Sequence, residues 1–67
     1  MLYNDIALFT AVARHLNYSA AAKELRVTPS LISRRVSELE ERLGVRLFER
    51  TTRQVRLTSE GRRLVDL

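Results

Sequence analysis

Only Arg26 and Val27 stand between Leu25 and Thr28, and a helical pattern lies on either side of them. A connection this short makes two consecutive helices cross and pack on one another, which is the helix-turn-helix arrangement. The incoming helix reads as Ala20 to Leu25, with Ser19 as its cap. Its three consecutive alanines favour helix and leave little bulk, so another helix can approach closely. The outgoing helix has a strong start signal: Thr28 is a good N-cap, and Pro29 is pre-shaped for the first helical position. Ile32, Val36, Leu39 and Leu43 then follow at spacings of four, three and four, which makes one buried stripe. Gly44 ends the helix as the left-handed residue beyond it.

The remaining elements assemble around this pair. From about Asn4 to His15, Ile6, Phe9, Ala13 and Leu16 recur at helical spacing with Val12 beside them, and Asn4 or Asp5 caps the start. Asn17 and Tyr18 break the pattern and read as a turn. After Gly44 the period changes. Val45, Leu47 and Glu49 alternate with Arg46, Phe48 and Arg50, and Val55 to Leu57 is a second short extended run. Thr51, Thr52, Arg53 and Gln54 lie between, polar and of hairpin-loop length. Thr58 caps a fourth helix, and Glu60 sits at its positive end. Leu64 and Leu67 share a face of that helix with no obvious cover. The expected class is mainly α: a winged helix-turn-helix of three helices, a two-stranded β-wing over about 47–57, and the start of a linker helix. Residues 1–57 form the domain and 58–67 the beginning of that linker.

Several classes of function are poorly served by these residues. With 67 residues the chain holds one domain, and the absence of cysteine removes disulfides and cysteine-ligated zinc and fits a reducing cytoplasm. His15 alone makes no histidine metal site. No apolar run approaches the roughly 18 to 20 residues of a membrane helix, and the first residues lack the pattern of a signal peptide. Glycine occurs only at Gly44 and Gly61, so there is no phosphate-binding glycine loop, and His15 has no partners for a nucleophilic triad. No catalytic residue, metal or cofactor is expected, and the chain is not read as an enzyme. His15, Tyr3 and Tyr18 take structural readings.

Charge points to an acidic partner. The net charge is +4, and eleven of the twelve basic residues are arginine. Arg26, Arg34 and Arg35 lie in one stretch without acid, and Arg50, Arg53 and Arg56 in another; Glu38, Glu40 and Glu41 stand between them. On the outgoing helix, the face opposite the core stripe carries Ser30, Arg34, Ser37 and Glu41, flanked by Leu31 and Glu38. The early turns are hydroxyl and arginine and the later ones acidic. Phosphate repels carboxylate, so only the first turns are expected to enter a groove, as a recognition helix does. Arg34 is the residue expected to read a base, by bridging guanine O6 and N7, against a surface pairing with Glu38. Leu31 is open between a thymine methyl and packing on the preceding helix. Ser30 and Ser33 suit bases or phosphates, and Ser19 combines capping with a phosphate site. Arg53 at the wing tip reads as reaching the minor groove or backbone, and Arg35 and Arg50 as contacting phosphate or a glutamate such as Glu40. A protein-interaction module anchored by Leu31, Leu64 and Leu67 is the competing reading; its binding would barely respond to salt, whereas DNA binding weakens steeply.

These motifs, taken in order, carry a family resemblance. They are Phe9-Thr10-Ala11-Val12-Ala13, Tyr18-Ser19-Ala20-Ala21-Ala22-Lys23-Glu24-Leu25, Val27 through Val36, Leu39 through Arg50, Thr51-Thr52-Arg53, and Leu57-Thr58-Ser59-Glu60-Gly61. Over essentially its whole length the chain resembles the N-terminal DNA-binding domain of LysR-type transcriptional regulators of bacteria. The resemblance implies Thr28, Pro29, Ser30, Leu31, Ser33 and Arg34 at the major groove of double-stranded DNA, with Arg53 in the wing. It also implies an interrupted inverted repeat read by paired domains, self-association through the linker helix of the full-length protein, and a small-molecule effector bound by a C-terminal domain that these residues do not include. The end inside a helix reads as that of an excised domain. Many relatives carry glutamine where Pro29 stands and proline where Ser30 stands, so a potential adenine reader is missing here.

Overall fold

The computed structural model describes residues 4–51 and 54–66. The order of elements is α1 (Asp5–His15), α2 (Tyr18–Leu25), α3 (Pro29–Leu43), β1 (Phe48–Arg50), β2 (Val55–Leu57) and α4 (Ser59–Val65). The two strands pair antiparallel, with Phe48 opposite Leu57 and Arg50 opposite Val55. Tyr3, Thr52, Arg53 and Leu67, which the sequence reading used, lie outside the described residues.

Each helix starts on a side chain that accepts a backbone amide left unpaired by the first turn. Asn4 Oδ1 accepts from the Ala7 amide at 2.8 Å, and Thr28 Oγ1 accepts from the Leu31 amide at 3.1 Å. At α2 the expectation fails. Asn17, not Ser19, is the cap: its Oδ1 accepts from the Ala20 amide at 2.8 Å, and the helix already contains Tyr18 and Ser19. Asparagine ranks with serine as a cap. The turn before it needs no further residue, because Leu16 ends α1 in the left-handed conformation at φ 50°. Arg26 (φ 62°) and Gly44 (φ 73°) end α2 and α3 in the same way.

The core lies where α1, α2 and α3 meet and is closed by the root of the wing. Leu8, Phe9, Ala11, Val12, Ala21, Ala22, Ile32, Val36, Leu39, Leu47 and Phe48 are buried. The three-alanine run behaves as its size demands, since Ala21 and Ala22 are buried where α2 packs between its neighbours. Two stripes differ from expectation. On α1 the buried face is Leu8, Ala11 and Val12 with Phe9, while Ile6 is 75% exposed and Leu16 42%. A helix packed against both α2 and α3 centres its buried face between them, and Ile6 lies beyond that contact. On α3, Leu43 is half exposed because the helix outruns the core.

The wing root departs from simple alternation: Leu47 and Phe48 are both buried although adjacent, and Val45 is exposed. Glu40 explains this. Its Oε2 accepts from the Leu47 amide at 2.8 Å and the Phe48 amide at 3.0 Å, so these two N–H groups are satisfied before the β-ladder begins. Phe48 then reaches Phe9, with ring centroids 5.4 Å apart and planes tilted at 42°. Leu64 packs against this core from α4 and is partly buried, where the sequence offered no obvious cover.

Candidate nucleic-acid interface

The short Arg26–Val27 connection sets α3 across α2 with its first turns facing solvent. Thr28, Pro29, Ser30, Arg34 and Arg35 are exposed, and Leu31 and Ser33 are half-buried. Leu31 is not among the partly buried apolar residues packed against the core. Ser19 is exposed on the first turn of α2. The alternative reading of Arg34, a surface pairing with Glu38, is not formed: the ion pairs among the described residues are Arg14–Glu24, His15–Glu24, Arg42–Asp5 and Arg46–Glu40. The Arg34 guanidinium is left to solvent on the second turn of α3, with Ser37 one turn further and Glu38 and Glu41 exposed beyond.

Arg50, on the last residue of β1, turns towards α3. Its Nη1 donates to Ser33 Oγ at 3.0 Å, and its guanidinium carbon lies 5.0 Å from the centre of the Tyr18 ring. Wing, recognition helix and α2 therefore meet at one guanidinium. The sequence reading placed Arg50 on phosphate or on a glutamate such as Glu40. Glu40 is instead occupied by the wing-root amides and by Arg46 at 3.8 Å. Burial pushes the Tyr18 hydroxyl above its ordinary value; Arg50 opposes that shift and Glu40 adds to it. Tyr18 was read as structural, and the only sequence signal for its second contact is an aromatic residue at the start of α2. At the wing tip, the Thr51 amide donates to the Gln54 carbonyl at 2.9 Å and the Gln54 amide to Thr51 Oγ1 at 3.0 Å. These bonds tie the end of β1 to the residue before β2.

Of the competing set of apolar anchors, the two described members, Leu31 and Leu64, are both partly buried. Leu31 is half-buried at the start of α3, Leu64 packs on the core, and Leu67 lies outside the described residues. No group of three metal-ligating side chains occurs among the described residues, and none of their helices is long and apolar enough to cross a membrane.

The sequence profile of the bacterial regulatory helix-turn-helix proteins of the lysR family matches residues 3–62. The chain belongs to the LysR family. It is 45% identical over 65 residues to the HTH-type transcriptional regulator DmlR of Escherichia coli, covering 97% of this chain and 21% of DmlR. To the transcriptional activator AmpR of Pseudomonas aeruginosa it is 50% identical over 62 residues, covering 92% and 21% of the two chains. Among solved structures it is similar to the CbnR DNA-binding domain in complex with DNA, with a TM-score of 0.90 and 39% identity over 98% of this chain and 76% of that one. The BenM DNA-binding domain bound to benA site 1 DNA gives a TM-score of 0.85 with 34% identity, covering 91% and 68%. The winged-helix architecture read from the sequence is thus that of LysR-type DNA-binding domains. The chain spans about a fifth of the length of the curated relatives it matches.

Proposed function

We propose that this LysR-family chain is a sequence-specific double-stranded DNA-binding domain of a bacterial transcriptional regulator. In this reading the recognition helix, α3 with its cap Thr28, enters the major groove, and the wing over about 47–57 lies on the minor groove or backbone. One observation carries it: the exposed early turns of α3 hold Thr28, Pro29, Ser30 and an unpaired Arg34, while Glu38 and Glu41 occupy the later turns. Such a helix presents only its N-terminal half to a polyanion. The similar CbnR and BenM domains, solved in complexes with DNA, support the same reading.

Within it, Arg34 reads guanine through two hydrogen bonds, and Ser30 and Leu31 lie beside it on the groove floor. Ser19, Thr28, Pro29, Ser33, Arg35, Arg50, Thr51, Thr52 and Arg53 complete the contact set, mostly on phosphate and sugar. Residues 58–67 begin the helix through which the parent protein pairs its subunits. An apolar groove of about 600 Å³, lined by Ile6, Phe9, Leu39, Leu43, Leu64 and Val65, supports self-association on that side. The parent acts in the cytoplasm, senses its small-molecule effector through a further domain, and performs no catalysis through these residues.

The test is a titration of the isotope-labelled chain with duplex selected from a random-sequence pool, together with Arg34→Ala. Shifts gathered at Ser19, residues 28–35 and the wing are expected, with a loss of about 1–3 kcal/mol of specific affinity in the variant. Shifts confined to α4, or an Arg34→Ala variant that binds and discriminates as before, would overturn the assigned face.

A further inference from the structure

Charge offers Ser33 and Arg50 as separate phosphate contacts, but their meeting with Tyr18 joins them in one arrangement that charge does not assign. We propose that these three residues form one phosphate clamp, in which Arg50 and Ser33 grip a single backbone phosphate and Tyr18 is the platform that holds Arg50 in place. This rests on the DNA-binding reading above and names the atoms that would carry one of its backbone contacts.

The argument starts from what each group has left to give. A guanidinium carries five N–H donors in a rigid plane. Arg50 spends one, through Nη1, on Ser33 Oγ. A phosphate has several acceptor oxygens and suits the planar donor fork. Ser33 Oγ accepts from Arg50, so its own hydroxyl proton is available to donate outward. Two donors of different kinds therefore converge on one point at the junction of α3 and the wing.

Tyr18 supplies what an exposed arginine ordinarily lacks. A long side chain loses rotamer entropy when it is fixed on a ligand. Here the ring lies 5.0 Å from the guanidinium carbon, and Ser33 fixes one nitrogen. Much of that ordering is complete before DNA arrives, which is preorganisation of the contact. The ring is itself steady, because Tyr18 packs against the core from the first turn of α2.

The surrounding charges limit where the phosphate sits. Arg34 and Arg50 line one groove with Glu38, Glu40 and Glu41. Glu40 is engaged by the Leu47 and Phe48 amides and by Arg46. Glu38 and Glu41 lie on later turns of α3. The phosphate is therefore confined to the end of the groove lined by Tyr18 and Arg50, beside the Ser33 hydroxyl that Arg50 contacts. Tyr18 is a positioning residue in this scheme, since it acts through Arg50.

The experiment is a fluorescence-anisotropy titration of a labelled mixed-sequence duplex at several salt concentrations, using the 67-residue chain. Arg50→Ala is expected to lower the slope of log affinity against log salt by about 0.9, one phosphate contact. Tyr18→Leu is expected to weaken binding about two- to fivefold, and Tyr18→Phe, which keeps the ring, to bind as wild type. In the Arg50→Ala background, Tyr18→Leu should not weaken binding further, because Tyr18 acts only through Arg50. If Tyr18→Leu costs the same factor with and without Arg50, the platform is wrong; if Arg50→Ala leaves the salt slope unchanged, the clamp is wrong.

Arg50→Lys decides the matter should Tyr18→Leu fail to fold, because Arg50 is exposed and outside the core. Lysine keeps the charge but cannot span Tyr18, Ser33 and phosphate with one plane. Its salt slope should match wild type while its affinity falls about two- to fivefold, and wild-type affinity would overturn the clamp. Failure of the clamp leaves wild-type binding and the Arg34→Ala effect intact. A wild-type chain that binds no duplex overturns the clamp and the DNA-binding reading together.

Discussion

At Gly61 the first turn of α4 passes so close to the Leu47 carbonyl that an added Cβ would overlap its oxygen and press on the Leu57 side chain. The Leu47 oxygen is already fixed, accepting from the Thr58 amide at 3.0 Å, and cannot swing aside. Gly61→Ala is therefore expected to destabilise the fold by about 1–2 kcal/mol, overpacking outweighing alanine's better helix propensity. Urea denaturation measures it. Arg26 presents the opposite case. It holds a left-handed backbone at φ 62° in the turn between α2 and α3, a position where glycine is common in such motifs. Its side chain is exposed. Arg26→Gly removes the steric cost of that conformation and is expected to stabilise the chain by up to about 1 kcal/mol, read as a higher Tm.

At the scale of elements, two carboxylates do work that their neighbours along the chain conceal. Glu24 of α2 accepts from Arg14 at 2.9 and 2.8 Å and pairs with His15 at 2.7 Å, tying α2 to the end of α1. The hydrogen bond from Arg14, and then that from His15, hold the Glu24 carboxyl down at about 2 against an ordinary 4.5. A depressed carboxyl favours the folded state while it is ionised. This contribution is complete above pH 4.5 and is lost as pH falls through about 2. Glu24→Gln should flatten that part of the acid unfolding curve, as followed by circular dichroism, and a curve parallel to wild type would rule the linkage out. Glu40 joins α3 to the wing. Glu40→Ala would orphan the Leu47 and Phe48 amides and is expected to cost about 2–4 kcal/mol, with the wing root exchanging its amide protons faster.

These elements also show what the order of residues can and cannot reveal. Thr28, Pro29, Gly44 and the stripe Ile32, Val36 and Leu39 were legible because caps and periodicity act within one helix. Ser30 and Arg34 were legible as an outward face for the same reason. Glu40 was not, because its partners lie seven and eight residues away across a change of direction. Nor was the Tyr18–Ser33–Arg50 contact, which joins three elements. On α1 the buried set is Leu8, Phe9, Ala11 and Val12; Phe9 and Val12 belong to the stripe read through Ile6 and Ala13, whereas Leu8 and Ala11 lie on the neighbouring face. Periodicity cannot choose between neighbouring faces of a helix this apolar.

For the whole molecule the question is whether placement of charge or its total governs affinity for DNA. The chain carries a net charge of +4, but its arginines serve different ends. Arg14 and Arg42 are engaged by Glu24 and Asp5, and Arg42 lies on the last turn of α3 facing the start of α1. Arg34 and Arg50 stand together on the groove between α3 and the wing. Removing any one of them lowers the net charge equally, and a diffuse attraction would register each loss alike. Contact with phosphate is local, and each contact contributes about 0.9 to the dependence of log affinity on log salt. Arg42→Ala should therefore leave that slope near the wild-type value, although it breaks an ion pair, while Arg50→Ala lowers it. An exposed pair of this kind contributes about 0–1 kcal/mol to stability, so the Arg42 variant remains folded and the comparison is fair. Equal slopes for the two variants would mean that net charge, not the geometry of α3 and the wing, draws this domain to DNA.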